Sequence, residues 1–279
     1  MKVAVTNKYL RKQFAGYCAT LTAIVSAFAI FIDIPKELKI FAGVIYVAIL
    51  IIIYFFLWYK ANKNRNASLK FGLTTVELKS GDIFEEAGLK TIAFNEYFDT
   101  QVDDKVIAKA SLNGQLLLNY FPNVEVLDKK IEEDKKLSEN IIEKDVVRTA
   151  GKTARYKLGS SILVNDEFIL TAFSRFSSDN QAELTIQEYV NFLLNFWNEI
   201  NRLYAQRSVT VPVFGAGITR FKNGFEDIDI NELLKIMIWT FKISKIKFAY
   251  PAKLTILIHD DLLDKVNLYE IKESEQNGL

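Results

Sequence analysis

Residues Val211–Phe221 read VPVFGAGITRF. An apolar run of this length is a strand, and it leads without a spacer into Gly215-Ala216-Gly217. Glycine has no Cβ, so successive N–H groups there can turn toward one point and form a nest for an anion. Arg220, just downstream, stands where a bidentate phosphate contact would be made. The same residues equally describe a plain strand-to-loop turn. They also lack the Gly-Lys-Ser/Thr of a P-loop and the closely following helix of a dinucleotide fold. The deciding feature is therefore the company this turn keeps.

Two earlier runs end in the same way. TTVELKSGDIF is a strand entering a turn at Gly81-Asp82-Ile83, and TIAFN is a second strand ending at Asn95. Ser160–Val164 and Phe168–Phe173 flank Asn165-Asp166, the signal of a hairpin, and LTILIH is a last strand. Helical patterns alternate with these runs. Thr185-Ile-Gln-Glu188 is a capping box opening a helix to about Tyr204, with Val190, Leu193, Trp197 and Ile200 at helical spacing. Asp229-Ile-Asn-Glu232 repeats the box before LLKIMIWTFKI. Asp103 or Asp104 is expected to cap a helix across KVIAKASLNGQLLLNYF, and DLLDKVNLYEI to form a last short helix. Asp128–Lys144 reads as a solvated helix or an excursion from the core. This alternation predicts one α/β domain over residues 66–279, with a sheet covered on both faces by helices. Ligands in such sheets sit beyond the carboxyl ends of the strands.

Residues 1–65 obey a different pattern. Phe14–Ile32 and Ile40–Tyr59 contain no charged side chain. At about 1.5 Å per residue, either helix reaches across a hydrocarbon layer of roughly 30 Å. Ala27-Phe28-Ala29 resembles a signal-peptide cleavage site, but the apolar run continues past it and a second span follows. We expect a two-helix transmembrane hairpin. Lys2, Lys8, Arg11 and Lys12 precede it, Lys60, Lys63, Arg65 and Lys70 follow it, and the linking DIPKELK is balanced. That distribution puts both termini in the cytoplasm and the chain in the inner membrane. Ala15, Ala19, Ala23 and Ala27 form a stripe that permits close approach of another helix, either the second span or a neighbouring subunit.

Composition excludes several classes. With 35 basic and 34 acidic residues the net charge is +1, without the basic excess of a nucleic-acid binder. One cysteine, Cys18 in the first span, leaves no disulfide or thiolate cluster. Any triad, dyad or histidine metal site would have to use His259, the one histidine. No metal and no resident cofactor are expected.

In this order VELKSGDIF, TIAFN, VDDKVI and VPVFGAGITRF resemble the macro domain family, modules that bind ADP-ribose, over roughly residues 72–270. The resemblance implies a macro-type three-layer α/β/α domain with a mixed sheet. It also implies that Asp82, with Ile83, accepts from the adenine amino group and that Asn95 is the nearest match to an Asn-rich motif at the distal ribose. Gly215, Ala216, Gly217 and Ile218, with Thr219 and Arg220 beside them, match the diphosphate loop. The family's Asn-x-x-Asn pair and its Gly-Gly-Gly before Val102-Asp103 are replaced by NEYFDTQ. Those glycines lie near the distal ribose in members that cleave ADP-ribose from proteins, so binding is implied and no catalytic residue is assigned. IAFNEYFDT, SLNGQ and LTAFSRF, joined to two spans, resemble more narrowly the membrane-anchored macro effectors of Thoeris antiphage defence. This implies a TIR-domain partner that makes an ADP-ribose derivative, thought to be histidine–ADP-ribose. The macro protein would bind it, oligomerise and disrupt the bilayer. A membrane-anchored ADP-ribosyl hydrolase and a non-catalytic scaffold are the alternatives.

Further residues have two readings each. Asp99 and Asp103 face the distal imidazole or ribose, or, for Asp103, cap a helix. Glu96 is a general base or a surface carboxylate. Phe94, Phe98 and Phe173 stack on adenine or belong to the core. Ser174 and Arg175 follow a strand toward the pocket. His259 reads as a structural imidazole, and Asp260 and Asp261 as the start of the final helix.

Overall fold

The computed structural model describes residues 3–31, 35–177 and 180–276. Two compact units result: Ser68–Leu263, and a helical unit of Met1–Ala67 together with the residues from Asp264 onward.

The helical unit contains α1 (Lys8–Ala29), α2 (Lys36–Lys63) and, from the far end of the chain, α9 (Leu268–Gln276). Across Glu37–Lys63 the mean hydropathy reaches 2.9 and 6% of the apolar window is buried, so among the described residues this is the one helix long and apolar enough to cross a membrane. α1 begins at Lys8, spends its opening turns on Arg11, Lys12 and Gln13, and ends at Ala29. Its apolar part is therefore shorter than the expected 14–32 span; Ile32, like Lys2, lies outside the described residues. Phe14 stacks edge-on against Tyr54 at 4.9 Å, and the Thr22 and Tyr46 hydroxyls meet at 2.7 Å. Phe14, Cys18 and Leu21 are half-buried, whereas Ala15, Ala19, Ala23 and Ala27 are exposed, so α2 does not cover the alanine stripe. Tyr269 of α9 closes a small cluster with Val3, Leu10, Leu57 and Ala61.

The larger unit is built on a sheet of β1 (Asn66–Phe71), β2 (Thr74–Ser80), β3 (Leu89–Asn95), β6 (Ser161–Val164), β7 (Phe168–Phe176), β8 (Ala182–Thr185), β9 (Val209–Pro212), β10 (Arg220–Lys222) and β11 (Leu254–Ile258). β4 (Ile141–Glu143) and β5 (Arg155–Tyr156) form a separate ribbon. The order is β1-β2-β11-β9-β3-β7-β8-β10, with β6 also on β7. From β2 through β11, β9 and β3 to β7 every pairing is parallel, so these carboxyl ends share one edge. β6 and β8 run antiparallel to β7, which makes the sheet mixed. The β6–β7 hairpin turns at Asn165 and Asp166, both at positive φ, as their side chains permit.

Strand alternation sorts the core into two layers. Phe168, Leu170 and Ala172 of β7 join Leu116 of α3 (Leu112–Tyr120), Ile131 of α4 (Val124–Glu133) and Leu137 of α5 (Lys135–Ser138). Phe173 faces the other way and meets Phe192 at 4.9 Å, under α6 (Ile186–Leu203) and α7 (Ile230–Ser244). Both predicted capping boxes form, at Thr185 and Asp229. Trp197 Nε1 donates to Thr240 Oγ1 at 3.0 Å and ties α6 to α7.

Three expectations need correction. The helix foreseen from Lys105 begins only at Leu112, capped by Ser111. Asp103 instead accepts from the Lys105 and Val106 N–H groups at 2.9 and 2.7 Å, closing a tight turn that competes with helix formation. Asp128–Lys144 is not purely solvated, because Ile131 and Leu137 are buried in the core. The final helix splits into α8 (Asp260–Leu263) and α9.

Candidate functional site

At the shared carboxyl edge lies a cavity of about 620 Å³, lined by residues that follow β2, β3, β9 and β11 and by the start of α3. That size suits a small-molecule ligand.

Asp82 and the Gly215 turn line this one cavity. Asp82 leaves β2 exposed; its Oδ1 accepts from Phe84 N–H at 2.9 Å, while Oδ2 has no partner among the described residues. Ile83 beside it is buried and supplies an apolar wall. After β9, Tyr189 donates from its hydroxyl to Phe214 O at 3.0 Å and pins the base of the loop. Complete burial pushes that phenol well above its ordinary range, so the hydroxyl stays a donor. Gly215 adopts φ +84°, and an added Cβ would stand 2.9 Å from the Phe221 ring. Ala216 N–H donates to Val213 O at 3.3 Å. The N–H groups of Gly217 and Ile218 have no partner among the described residues, and both positions are exposed. Thr219 completes this wall.

Phe173 and Ser174 also line the cavity, and their placement has a local cause. The β3–β7 register runs Phe94 opposite Ala172 and then Asn95 opposite Ser174, so β7 carries a bulge at Phe173. A bulge re-aims side chains at a sheet rim. Phe173 packs among Phe192, Phe214 and Tyr189 and forms the floor.

Asn95 lines the cavity, but its oxygen is already engaged: Oδ1 accepts from Tyr97 and Asp99 N–H, and Nδ2 donates to Asp99 Oδ2 at 2.9 Å. Asp99 and Arg220 are not brought to the cavity wall. The Asp99 carboxylate is fully buried and clasped by the Arg148 guanidinium, at 3.1 and 2.8 Å, and by Lys152 N–H at 2.6 Å. Arg148 in turn lies 3.8 Å above the Tyr97 ring. Arg220 is exposed on β10 and donates to Gln181 Oε1 at 2.5 Å.

Glu96 is not a surface carboxylate. Only 3% of it is exposed, and burial raises its carboxyl above the ordinary value despite the Phe176 N–H and the Arg175 and Arg155 charges. It lies off the cavity wall. His259, expected as a structural imidazole, instead has an exposed side chain at the cavity mouth, with Nδ1 3.5 Å from Asp261 Oδ2. Sequence reading also missed the start of α3, where Ser111, Leu112 and Asn113 reach the cavity. The signal was present in Ser111-Leu-Asn-Gly114, a serine cap that the stronger Asp103-Asp104 pattern obscured. No lysine or arginine is among the lining residues, so an anion here would be held by backbone N–H groups. Among the described residues no cluster suited to a metal ion occurs.

A family model described as "Thoeris protein ThsA, Macro domain" matches residues 76–259. The chain is also 42% identical over 283 residues to the Thoeris protein ThsA of Bacillus amyloliquefaciens (strain Y2), covering 100% of this chain and 94% of that one. The chain belongs to the Thoeris ThsA macro-domain family. Solved structures similar to it include Oceanobacillus iheyensis macrodomains. One is a mutant with ADPR (TM-score 0.47, 12% identity, 74% of this chain and 96% of that chain) and one is with ADP (TM-score 0.47, 11% identity, 74% and 94%). Membership in ThsA places the protein in Thoeris defence and couples it functionally to the rest of that system. Macro domains include both binders and hydrolases.

Proposed function

We propose that this ThsA-family protein is a membrane-anchored receptor for an ADP-ribose-derived signal. The observation that carries the reading is the convergence of the Asp82 carboxylate and the unpartnered Gly217 and Ile218 amides on one cavity. Asp82 accepts from the adenine amino group, and the Gly217 and Ile218 amides hold the diphosphate. The signal, histidine–ADP-ribose, comes from a TIR-domain partner. Binding draws chains together and disrupts the bilayer, with both spans crossing the inner membrane and both termini cytoplasmic. The exposed alanine stripe of α1 supports contact between subunits, because a small-residue face left bare by α2 lets a second helix approach closely. Shifting a resting balance from 1:99 to 99:1 requires about 5.5 kcal/mol of differential affinity, within reach of a charged nucleotide–sugar.

Calorimetry of the full-length protein in detergent, with ADP-ribose and its histidine adduct, tests the receptor. Saturable binding is expected, weakened roughly ten-fold or more by Asp82→Ala through loss of a charge-assisted hydrogen bond. Absence of binding by the wild-type protein overturns the reading; turnover of the ligand would replace it with a hydrolase.

A further inference from the structure

Asn95, Ser174 and Phe176 line one wall of the cavity, at the paired ends of β3 and β7. The turn that follows β3 is strained. Phe98 is fully buried at φ +50°, a left-handed conformation that a bulky side chain seldom takes. Strain of this kind persists only where the surroundings enforce it, and it gathers at ligand sites and switches.

Arg148 supplies the enforcement. Its side chain is 7% exposed and that of Asp99 is 0% exposed. Besides gripping both Asp99 oxygens, the guanidinium donates to Lys152 O at 2.6 Å and to Asn180 Oδ1 at 3.1 Å. Its central carbon lies 3.8 Å from the centre of the Tyr97 ring and 5.9 Å from that of Phe176. One side chain thus joins the turn after β3, the end of β7 and its own loop. Gly151 makes this approach possible: it adopts φ +92°, and a Cβ there would stand 2.5 Å from Asp99 Oδ1. Asp99 passes the constraint to the cavity wall, because its Oδ2 accepts from Asn95 Nδ2 while Asn95 Oδ1 accepts from the Tyr97 and Asp99 N–H groups. Burying an ion pair is a poor route to stability, since desolvation offsets much of the attraction. A satisfied buried network instead specifies a single arrangement of the groups attached to it.

We propose that Arg148 is a positioning residue for the cavity: acting through Asp99, it holds the 95–99 turn in its ligand-ready shape before a ligand arrives. This rests on the receptor reading above and adds a preorganising device to it. A wall already ordered does not have to be ordered on binding, and that cost is removed from the affinity.

The test uses the full-length protein in detergent with ADP-ribose as the probe, read by calorimetry and by hydrogen exchange. Arg148→Lys keeps the charge and loses the two-pronged grip. It should weaken ADP-ribose roughly ten-fold. In the unliganded variant the amides of Tyr97 and Asp99 should exchange roughly ten-fold faster than in wild type, while those of α6 keep their wild-type rates. Saturating ADP-ribose should restore their protection. Gly151→Ala presses a methyl group against Asp99 without altering Arg148 or a cavity residue, and it should reproduce both effects. A merely structural role would instead speed exchange in α6 and in the turn alike, which overturns the proposal. So do variants that bind ADP-ribose within about two-fold of wild type, and the receptor reading then stands. A wild-type protein that binds no ADP-ribose overturns both.

Discussion

Gly215 and Gly217 are two residues apart, yet a methyl group should be tolerated at only one of them. Gly215 has φ +84°, where an L-residue costs roughly 1–2 kcal/mol. A Cβ there would lie 2.9 Å from Cε2 and Cζ of Phe221 and 3.5 Å from Leu233 Cδ1. Phe221 is itself buried, with its ring edge-on to Tyr189 at 5.5 Å, so it has no free space into which to retreat. Overpacking of this sort costs about 1–3 kcal/mol. Taken together, Gly215→Ala should destabilise the domain by about 3 kcal/mol. For a domain of this size that is a fall in Tm of roughly 6–12 °C. At Gly217 nothing lies within 4 Å of the added atom and φ is not in the left-handed region. Gly217→Ala should therefore change stability by under about 0.5 kcal/mol, a shift of at most roughly 2 °C. Thermal unfolding of the two variants in the same detergent, followed by tryptophan fluorescence, compares them directly. Equal falls for both, or a Gly215→Ala protein melting within about 2 °C of wild type, would refute the assignment of the loop's shape to Gly215.

Arg148→Met leaves the fully buried Asp99 carboxylate without its charge partner and should cost about 3–5 kcal/mol by urea unfolding. Adding Asp99→Asn should recover much of that loss; a double variant no more stable than the single would show that Arg148 acts through its other contacts. Glu96 gives a pH signature. Burial raises its folded carboxyl above the ordinary 4.5, so the folded state holds the proton more tightly than the unfolded chain does. Its stabilising contribution is complete below 4.5 and is lost as pH rises through the folded value. Glu96→Gln should lack that decline, seen as a flatter series of urea midpoints between about pH 4 and pH 7. Parallel profiles for the two proteins would rule this out.

The strands ending at Asp82, Asn95 and Gly215 could be read in the sequence because a buried strand and its terminal turn are written in consecutive residues. The same holds for the two capping boxes and for the Asn165-Asp166 hairpin, each confined to a few positions. The α3 start was misread for a related reason. Asp103, Asp104 and Ser111 are all competent caps, but Asp103 closes a tight turn on Lys105 and Val106, and Gly114 packs against Ala108 behind the Ser111 cap.

Roles that depend on a distant partner behaved differently. Asp99 looks available for a ligand until Arg148, 49 positions away, closes on it. The α1 stripe has the same spacing whether or not α2 covers it. Tyr269 gives no sign along the chain that it will pack beside Leu10 and Leu57.

By itself, then, the sequence determined the long apolar helix near the start, the alternating α/β pattern and the family, since hydrophobic period, turn chemistry and motif order are properties of neighbours along the chain. Tertiary structure alone decided which strand ends meet around one cavity and which polar groups remain unspent there. The physical reason is that a buried charge or amide must find a partner wherever folding brings one. Whether Asn95 or Asp99 is left for a ligand depends on residues that become neighbours only when the sheet has closed.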